Sequence, residues 1–343
     1  MRYLLVGYGN IGAKRKAALG ERCMATVDPF NAAADYRAAT ECDPGRYEAA
    51  ILAVPNDVKV ELLQYFLDLG KHVLVEKPLI LDLEVASDLT RRARESGAVW
   101  YTSYNFRFEP NVVALKRHLD GGGLGRIYRV RMFYGNGTAA NLVGTWRDSR
   151  YGVLEDMATH LIDLAGFVFG RFGCDFQVWE LGSYVMKGID HCVLATSDGG
   201  LVIECSFLSW KNRWRIEVIG ERGMLEMDGL TKWGTSELVL WRRKLPSGVP
   251  DEHRERVAGP DPTWSADLAH FEERIRAGVT ATRAAQKIPG YESLEQGAER
   301  RNPSGRLTIP DDVARALVVL SHPDTAWITG NVIGVDGGED VVM

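Results

Sequence analysis

The tightest constraint on this chain is one six-residue stretch, Gly7-Tyr8-Gly9-Asn10-Ile11-Gly12, which has the pattern G-x-G-x-x-G. The apolar run Tyr3–Val6 precedes it and reads as a buried strand. Ile11–Leu19 follows and reads as a helix. In that setting each glycine has a task. Gly7 permits the tight turn, Gly9 lets a phosphate approach bare backbone, and Gly12 lets helix and strand pack closely. The open N–H groups and the dipole at the helix start suit a pyrophosphate. The expected ligand is a dinucleotide held by Gly7, Gly9, Asn10, Ile11 and Gly12. A glycine turn without a ligand is the plainer alternative.

The first third continues in the same rhythm. Met24–Val27, Ala49–Val54, His72–Val75 and Val99–Thr102 read as strands, with helical stretches at Val58–Leu69 and Leu83–Glu95 between them. Strand and helix in alternation imply a parallel sheet covered on both faces. The expectation is an α/β Rossmann domain over 1–105. Asp28 ends the second strand, 16 residues beyond Gly12. A carboxylate there accepts hydrogen bonds from the adenosine ribose and repels a 2′-phosphate, which favours NAD. Lys14, Arg15 and Lys16 are near enough to a 2′-phosphate to keep NADP open.

Near Asn105 the character changes. Ile127–Tyr134, Gln177–Met186, Cys192–Ser197, Leu201–Leu208, Trp214–Ile219, Met224–Met227 and Glu237–Trp241 read as strands with short connections. Asp198-Gly199 and Gly220–Gly223 have the chemistry of tight hairpins. The expected second domain, 106–300, is α+β: a largely antiparallel open sheet interrupted by one helix near Leu154–Phe169. Composition fits two globular domains, with 343 residues, 45% hydrophobic and 25% charged. A net charge of −5 argues against nucleic acid. No apolar run approaches the roughly 20 residues of a membrane span. Met1-Arg2 leads straight into Tyr3–Val6 without a signal peptide, so the expected location is the cytoplasm. Five scattered cysteines lack a C-x-x-C pair, and seven histidines lack an H-x-x-x-H pattern. Free thiols and no metal are expected.

Two further stretches matter together with the glycine loop: Glu76-Lys77-Pro78 after the fourth strand, and Asp156-Met157-Ala158-Thr159-His160. The set resembles the glucose–fructose oxidoreductase / inositol dehydrogenase family (Gfo/Idh/MocA) over roughly residues 1–280. Pro55-Asn56, Tyr104–Phe108 with Pro110, Gly125-Arg126-Ile127 and Trp146-Arg147 match it as well. The resemblance implies catalytic Lys77, Asp156 and His160, and cofactor contacts at Pro55, Asn56, Glu76 and Lys77. It also implies a carbohydrate-like or cyclitol substrate and a homodimer or homotetramer built on the sheet. The chemistry agrees. A neutral histidine suits removal of a hydroxyl proton. Asp156, four positions earlier, shares its face on a helix and is suited to orienting it. Lys77 stabilises a developing alkoxide.

Asn105, Arg107, Trp146 and Arg147 fall near the domain junction and are substrate candidates. An arginine there either clamps an anionic group or makes an interdomain ion pair. Trp146 either stacks on a ring or packs in an interface. Asp163 lies near the catalytic face as a second carboxylate. Family members usually carry consecutive glycines where this chain has Arg150-Tyr151-Gly152, so Tyr151 is expected either to narrow the pocket or to change which ring is accepted. Lys59 stands where many members have histidine. Two other functions share these features: a non-catalytic NAD-sensing regulator, and a glycoside hydrolase using NAD transiently.

The tail is different. Gly305–Ala314, Ile328-Thr329-Gly330 and Val335–Gly338 resemble the end of a short-chain dehydrogenase. Those enzymes use Tyr-x-x-x-Lys, which occurs nowhere in this chain. Residues 301–343 are therefore expected to form no active site. They are either a docking or oligomerisation element, with Val313, Leu317, Val318 and Leu320 as its apolar face, or a fusion remnant packed on its own domain.

Overall fold

The computed structural model describes residues 1–148, 151–170 and 176–276, and in it Tyr3–Val6 forms strand β1 with all four side chains buried. β2 (Cys23–Val27), β3 (Ala49–Leu52), β4 (His72–Glu76) and β5 (Trp100–Ser103) join it in the order β2-β1-β3-β4-β5, all parallel. Apolar residues run continuously in the central strands because both faces are covered. Helices α1 (Asn10–Leu19), α2 (Lys59–Asp68) and α3 (Leu83–Ser96) connect them. The strand order reverses direction between β1 and β3. Ligands of such sheets bind in the crevice at that point, beyond the strands' carboxyl ends.

The second sheet has eight strands: β6 (Ile127–Gly135), β7 (Phe176–Gly182), β8 (His191–Thr196), β9 (Leu201–Ser206), β10 (Arg213–Gly220), β11 (Gly223–Asp228), β12 (Ser236–Arg242) and β13 (Asp251–Val257). Its order is β13-β12-β11-β10-β6-β9-β8-β7. The β6–β9 pair is parallel and every other pair antiparallel. Hairpins form at Asp198-Gly199, where Gly199 takes φ +65°, and at Gly220–Gly223. One face carries Met132, Ile203, Trp214, Ile216 and Met227 against α4 (Pro110–Asp120) and α6 (Thr159–Phe169), which bring Val112, Leu115, Leu161 and Leu164. A short helix, α5 (Ala139–Leu142), lies between α4 and α6 in sequence.

The structure corrects three expectations here. The second half holds more than one helix: α4 starts at Pro110, whose fixed φ suits a first turn, and α7 (Thr263–Arg276) follows β13. The strand expected over Gln177–Met186 stops at Gly182. The buried Asp190 carboxylate accepts the amides of Tyr184, Val185 and Met186 and draws them out of the ladder. The helix expected over Leu154–Phe169 is divided, with a π turn (Leu154–Ala158) ahead of α6.

Helix α7 returns to the first sheet. Leu268 and Phe271 pack with Tyr3, Leu5, Leu19, Ile51 and Leu74, while α2 and α3 cover the opposite face. Cys23, Cys42, Cys192 and Cys205 are free thiols; Cys174 and the tail beyond Arg276 lie outside the described residues.

Candidate active site

The glycine loop is shaped by contacts that a Cβ would break. Gly7 has φ +91°, and a Cβ on it would fall 2.3 Å from the Ala53 carbonyl oxygen; one on Gly12 would fall 2.0 Å from that of Gly7. Around Gly9 a Cβ would meet nothing within 4 Å, so the open side of the loop lies here. The first amides of α1 face this opening without intrahelical acceptors. The residues therefore fit a dinucleotide pyrophosphate.

A cleft of about 1010 Å³ runs from the loop past Asp28, Phe30, Arg37, Val54, Pro55 and Tyr65. Asp28 accepts the amide of Tyr8 at 2.8 Å and those of Phe30 and Asn31 at 2.8 and 2.9 Å. Partial burial works against its charge, but these amides outweigh it and hold the carboxyl below its ordinary range. Asp28 thus presents a fixed negative charge where a ribose fits. Arg15 cannot reach a 2′-phosphate. It is fully buried, bonded to Glu76 at 2.6 Å, Ser103 at 2.6 Å and Asp267 at 2.7 Å. Lys16 lies over the Tyr8 ring and Lys14 over Trp264. The cation that does line the cleft is Arg37, bonded to the carbonyls of Asp28 and Asn31. Nothing in its local sequence marked it.

A second cleft, about 630 Å³, opens from the same loop toward the second sheet. Lys77 enters it from the end of β4. The Lys77–Pro78 peptide is cis, and the buried Lys59 ammonium bonds the carbonyls of Glu76, at 2.7 Å, and Pro78. Lys59 therefore supports the turn that carries Lys77. Lys77 Nζ donates to Asp156 Oδ1 and to the Asp156 carbonyl, each at 2.8 Å. Arg147 Nε donates to Asp156 Oδ2 at 2.9 Å. Burial favours the neutral acid, yet Lys77 and Arg147 outweigh it and keep Asp156 ionised.

His160 stands beside this group in a different manner from the one expected. No hydrogen bond joins it to Asp156, whose two oxygens are taken by Lys77 and Arg147. The cause is local: the π turn Leu154–Ala158 breaks the α-helical register between them. The imidazole is held instead by stacking on Phe106, centroids 4.1 Å apart and planes 18° apart, with Tyr104 and Tyr134 edge-on. Its Nδ1 is buried without a partner. Burial first, then the charges of Lys77 and Lys232, push its pKa well below 6.5, so the ring is neutral. A neutral ring beside a fixed ammonium can take a proton while the ammonium steadies negative charge on oxygen.

Other candidates take other places. Asn105 lines the cleft and donates to Thr263 Oγ1 at 2.7 Å. The Glu76 carboxylate is held by Arg15. Arg107, a substrate candidate, does not line this cleft: two of its three guanidinium nitrogens bind Asp163, Nε to Oδ2 at 2.8 Å and Nη2 to Oδ1. That pair consumes both charges. Asn56 starts an exposed 3-10 turn and lines neither cleft, whereas Pro55 lines both. Tyr151 is half exposed and is not among the lining residues, so it does not narrow this cleft. Trp146 begins the 3-10 turn that carries Arg147, and Arg150 lies outside the described residues. Phe106, Tyr134, Lys232, Trp233 and Trp264 line the cleft although sequence reasoning assigned them no role there. Among the described residues no group of three or more His, Cys, Asp or Glu is placed to hold a metal, and no helix is long and apolar enough to cross a membrane.

Comparison with known proteins adds to this geometry. Residues 1–104 match the GFO/IDH/MocA model described as "Oxidoreductase family, NAD-binding Rossmann fold", and 112–226 match the GFO/IDH/MocA C-terminal domain. Residues 273–339 match a model described as "Enoyl-(Acyl carrier protein) reductase". Inositol 2-dehydrogenase 1 of Mycolicibacterium vanbaalenii is 32% identical over 280 residues, 78% of this chain and 75% of that protein. Inositol 2-dehydrogenase of Rhizobium meliloti is 28% identical over 249 residues, 65% of this chain and 74% of that protein. A solved levoglucosan dehydrogenase, in complex with NADH and levoglucosan, shares the fold with a TM-score of 0.66 at 18% identity, covering 86% of this chain and 94% of that one.

Proposed function

The chain belongs to the Gfo/Idh/MocA family of NAD-binding oxidoreductases, and from that premise we propose that it is a cytoplasmic dehydrogenase interconverting a hydroxyl and a ketone on a sugar, amino sugar, nucleotide sugar or cyclitol. The observation that carries the reading is the joint placement of Lys77 and neutral His160 on one cleft that begins at the glycine loop. Relatives named inositol 2-dehydrogenase and a fold neighbour holding levoglucosan support a polyhydroxylated ring as substrate. The Asp28 carboxylate supports NAD over NADP by repelling a 2′-phosphate.

When bound, the nicotinamide supplies the hydride acceptor or donor. The chain's own residues do the rest. Lys77, positioned by Asp156 and by the turn that Lys59 braces, donates to the reacting oxygen and stabilises its negative charge. His160 takes up the hydroxyl proton in oxidation and returns it in reduction. Asp156 keeps the ammonium in place. Phe106, Tyr104 and Tyr134 exclude water from the imidazole.

The test is NADH formation at 340 nm over a panel of cyclitols, amino sugars and nucleotide sugars, beside His160→Ala. Turnover with at least one ring, falling about 10²–10⁴-fold in the variant, is the expected outcome. Tight NAD binding with no NADH from any ring would sink the reading.

A further inference from the structure

Arg147 meets Asp156 from the short 3-10 turn Trp146–Asp148. Holding an arginine in one geometry costs side-chain entropy, so the turn itself has to be fixed. The fixing comes from the next residue, Asp148. Its Oδ2 accepts the Gly144 amide at 2.9 Å, which closes the turn on itself. Its Oδ1 accepts the amides of Lys187, at 2.7 Å, and Gly188, at 3.0 Å, in the loop between β7 and β8. The Gly144 amide, then those of Gly188 and Lys187, hold the Asp148 carboxyl below its ordinary range. It therefore accepts these bonds as an anion, which makes them stronger than neutral ones.

The loop between β7 and β8 is held just as firmly. The buried Asp190 accepts the amides of Tyr184, Val185 and Met186 at 2.9, 2.7 and 3.0 Å. The five consecutive amides from Tyr184 to Gly188 thus end on two carboxylates. The carbonyl of the next residue, Ile189, accepts the Val153 amide at 2.8 Å. Val153 leads directly into the π turn that carries Asp156. A Cβ on Gly152 would fall 2.1 Å from the same carbonyl oxygen, so the chain approaches the loop closely there. One loop therefore sets the place of both partners of an ion pair. It holds Arg147 through Asp148, and Asp156 through Val153. Asp156 in turn holds Lys77.

We infer that Asp148 is a positioning residue for the reaction, acting through Arg147 and Asp156 on the Lys77 ammonium. The inference rests on the dehydrogenase reading, which gives Lys77 its task. Asp148 lines neither cleft, so it acts without touching substrate or cofactor. Without its carboxylate the amides of Gly144, Lys187 and Gly188 turn to water, and Arg147 loses its fixed approach to Asp156. Asp156 then has a less defined cation beside it, and the ammonium that it holds is less well placed. Lys77 acts on charge that develops as the reaction proceeds, so the loss belongs to kcat rather than KM.

The experiment assays Asp148→Ala and Asp148→Asn for NAD reduction on a ring that the wild type turns over, each alone and with Arg147→Met. In Asp148→Ala kcat should fall roughly 10- to 100-fold with KM little changed, the scale of a misplaced catalytic group. Asp148→Asn keeps one acceptor oxygen and should lie between. Once Arg147→Met is present, Asp148→Ala should cost almost nothing more, because the route through Arg147 is gone. A second readout needs no turnover: NMR titration of isotope-labelled aspartate carboxyls, with Asp156 assigned by Asp156→Asn. Burial raises the Asp156 pKa, but Lys77 and Arg147 outweigh it. That pKa should rise in Asp148→Ala; Tyr134, Cys205 and Lys232, its other titratable neighbours, are the same in both proteins. If Asp148→Ala fails to fold, Asp148→Asn carries both readouts. An unchanged kcat, an unchanged Asp156 titration, or a loss as large with Arg147→Met as without it overturns the inference; Asp148 is then a staple between loops and nothing more. The two readings fail separately. A shifted Asp156 titration in a protein that reduces no NAD on any ring keeps the chain of contacts and removes the dehydrogenase. NAD reduction indifferent to Asp148 does the reverse.

Discussion

His160 shows how packing sets chemistry at a single side chain. Its neutrality comes from burial against Phe106 and from two nearby ammonium groups, with no contact from a carboxylate. Two pH effects follow. In the unfolded chain the imidazole titrates near its ordinary 6.5, while in the folded protein it resists the proton. The unfolded state therefore binds more protons below pH 6.5, and stability falls as the pH drops through that range. Urea unfolding at pH 7.5 and 5.5 should show a smaller difference for His160→Gln than for the wild type. In oxidation, the acidic limb of kcat/KM should lie below 6.5; a limb above 7 would mean that the imidazole is not desolvated in the working enzyme. The placement of Lys77, Asp156 and His160 on one cleft was legible because each stands in a short pattern with its own chemical logic. Their wiring was not, since a four-residue spacing implies contact only on an α-helix and the chain makes a π turn there. Lys232 and Arg37 were illegible for another reason. Each is a lone cation in a polar turn, and its meaning comes from residues more than a hundred positions away or from a cleft wall that no local pattern encodes.

Among the elements, α7 depends most on distant partners. Its Asp267 accepts Arg15 of α1, Ser103 of β5 at 2.8 Å and Tyr101 of β5 at 3.0 Å, all in the interior. Arg15 also binds Glu76 at the end of β4, one residue before Lys77. The network thus ties the glycine-loop helix to the strand that presents Lys77. Arg15→Met would leave two buried carboxylates without their cation, and chemical denaturation should record a loss of about 3–5 kcal/mol. A loss under 1 kcal/mol would show that the carboxylates protonate at little cost. The central parallel strands β1, β3 and β4 were readable because each is a short apolar run covered on both faces. Helix α7 was not, because its apolar residues Leu268 and Phe271 answer to Tyr3, Leu5 and Ile51 rather than to the strands beside them in sequence. The strand past Gly182 was over-read because alternating side chains could not reveal that Asp190 captures the backbone.

For the molecule as a whole, the two edges of the large sheet differ. β13 reads Asp251-Glu252-His253-Arg254-Glu255-Arg256, a charged edge of the kind that resists pairing. β7 exposes Val178, Trp179 and Leu181. Exposed apolar residues on an edge strand favour association. Light scattering should give two or four times the monomer mass, and Trp179→Glu should lower it; an unchanged mass would remove β7 from the joint. A chain ending at Arg301, measured alongside, tests the tail: full assembly without it would dispose of a docking role.

The return of α7 to the first sheet bears on portability. The nucleotide-binding half is sewn from two separated lengths of chain, and one of its faces is finished by residues that come after the whole second sheet. A fragment cut near residue 105 would carry the glycine loop but expose Tyr3, Leu5 and Ile51, and would strand Arg15 with one of its two carboxylates. Anyone grafting this cofactor site onto another scaffold would have to move both lengths together. Evolution, exchanging substrate sheets beneath the same loop, faces the same restriction: an insertion between β5 and α7 is tolerated only if it brings its two ends back to one place.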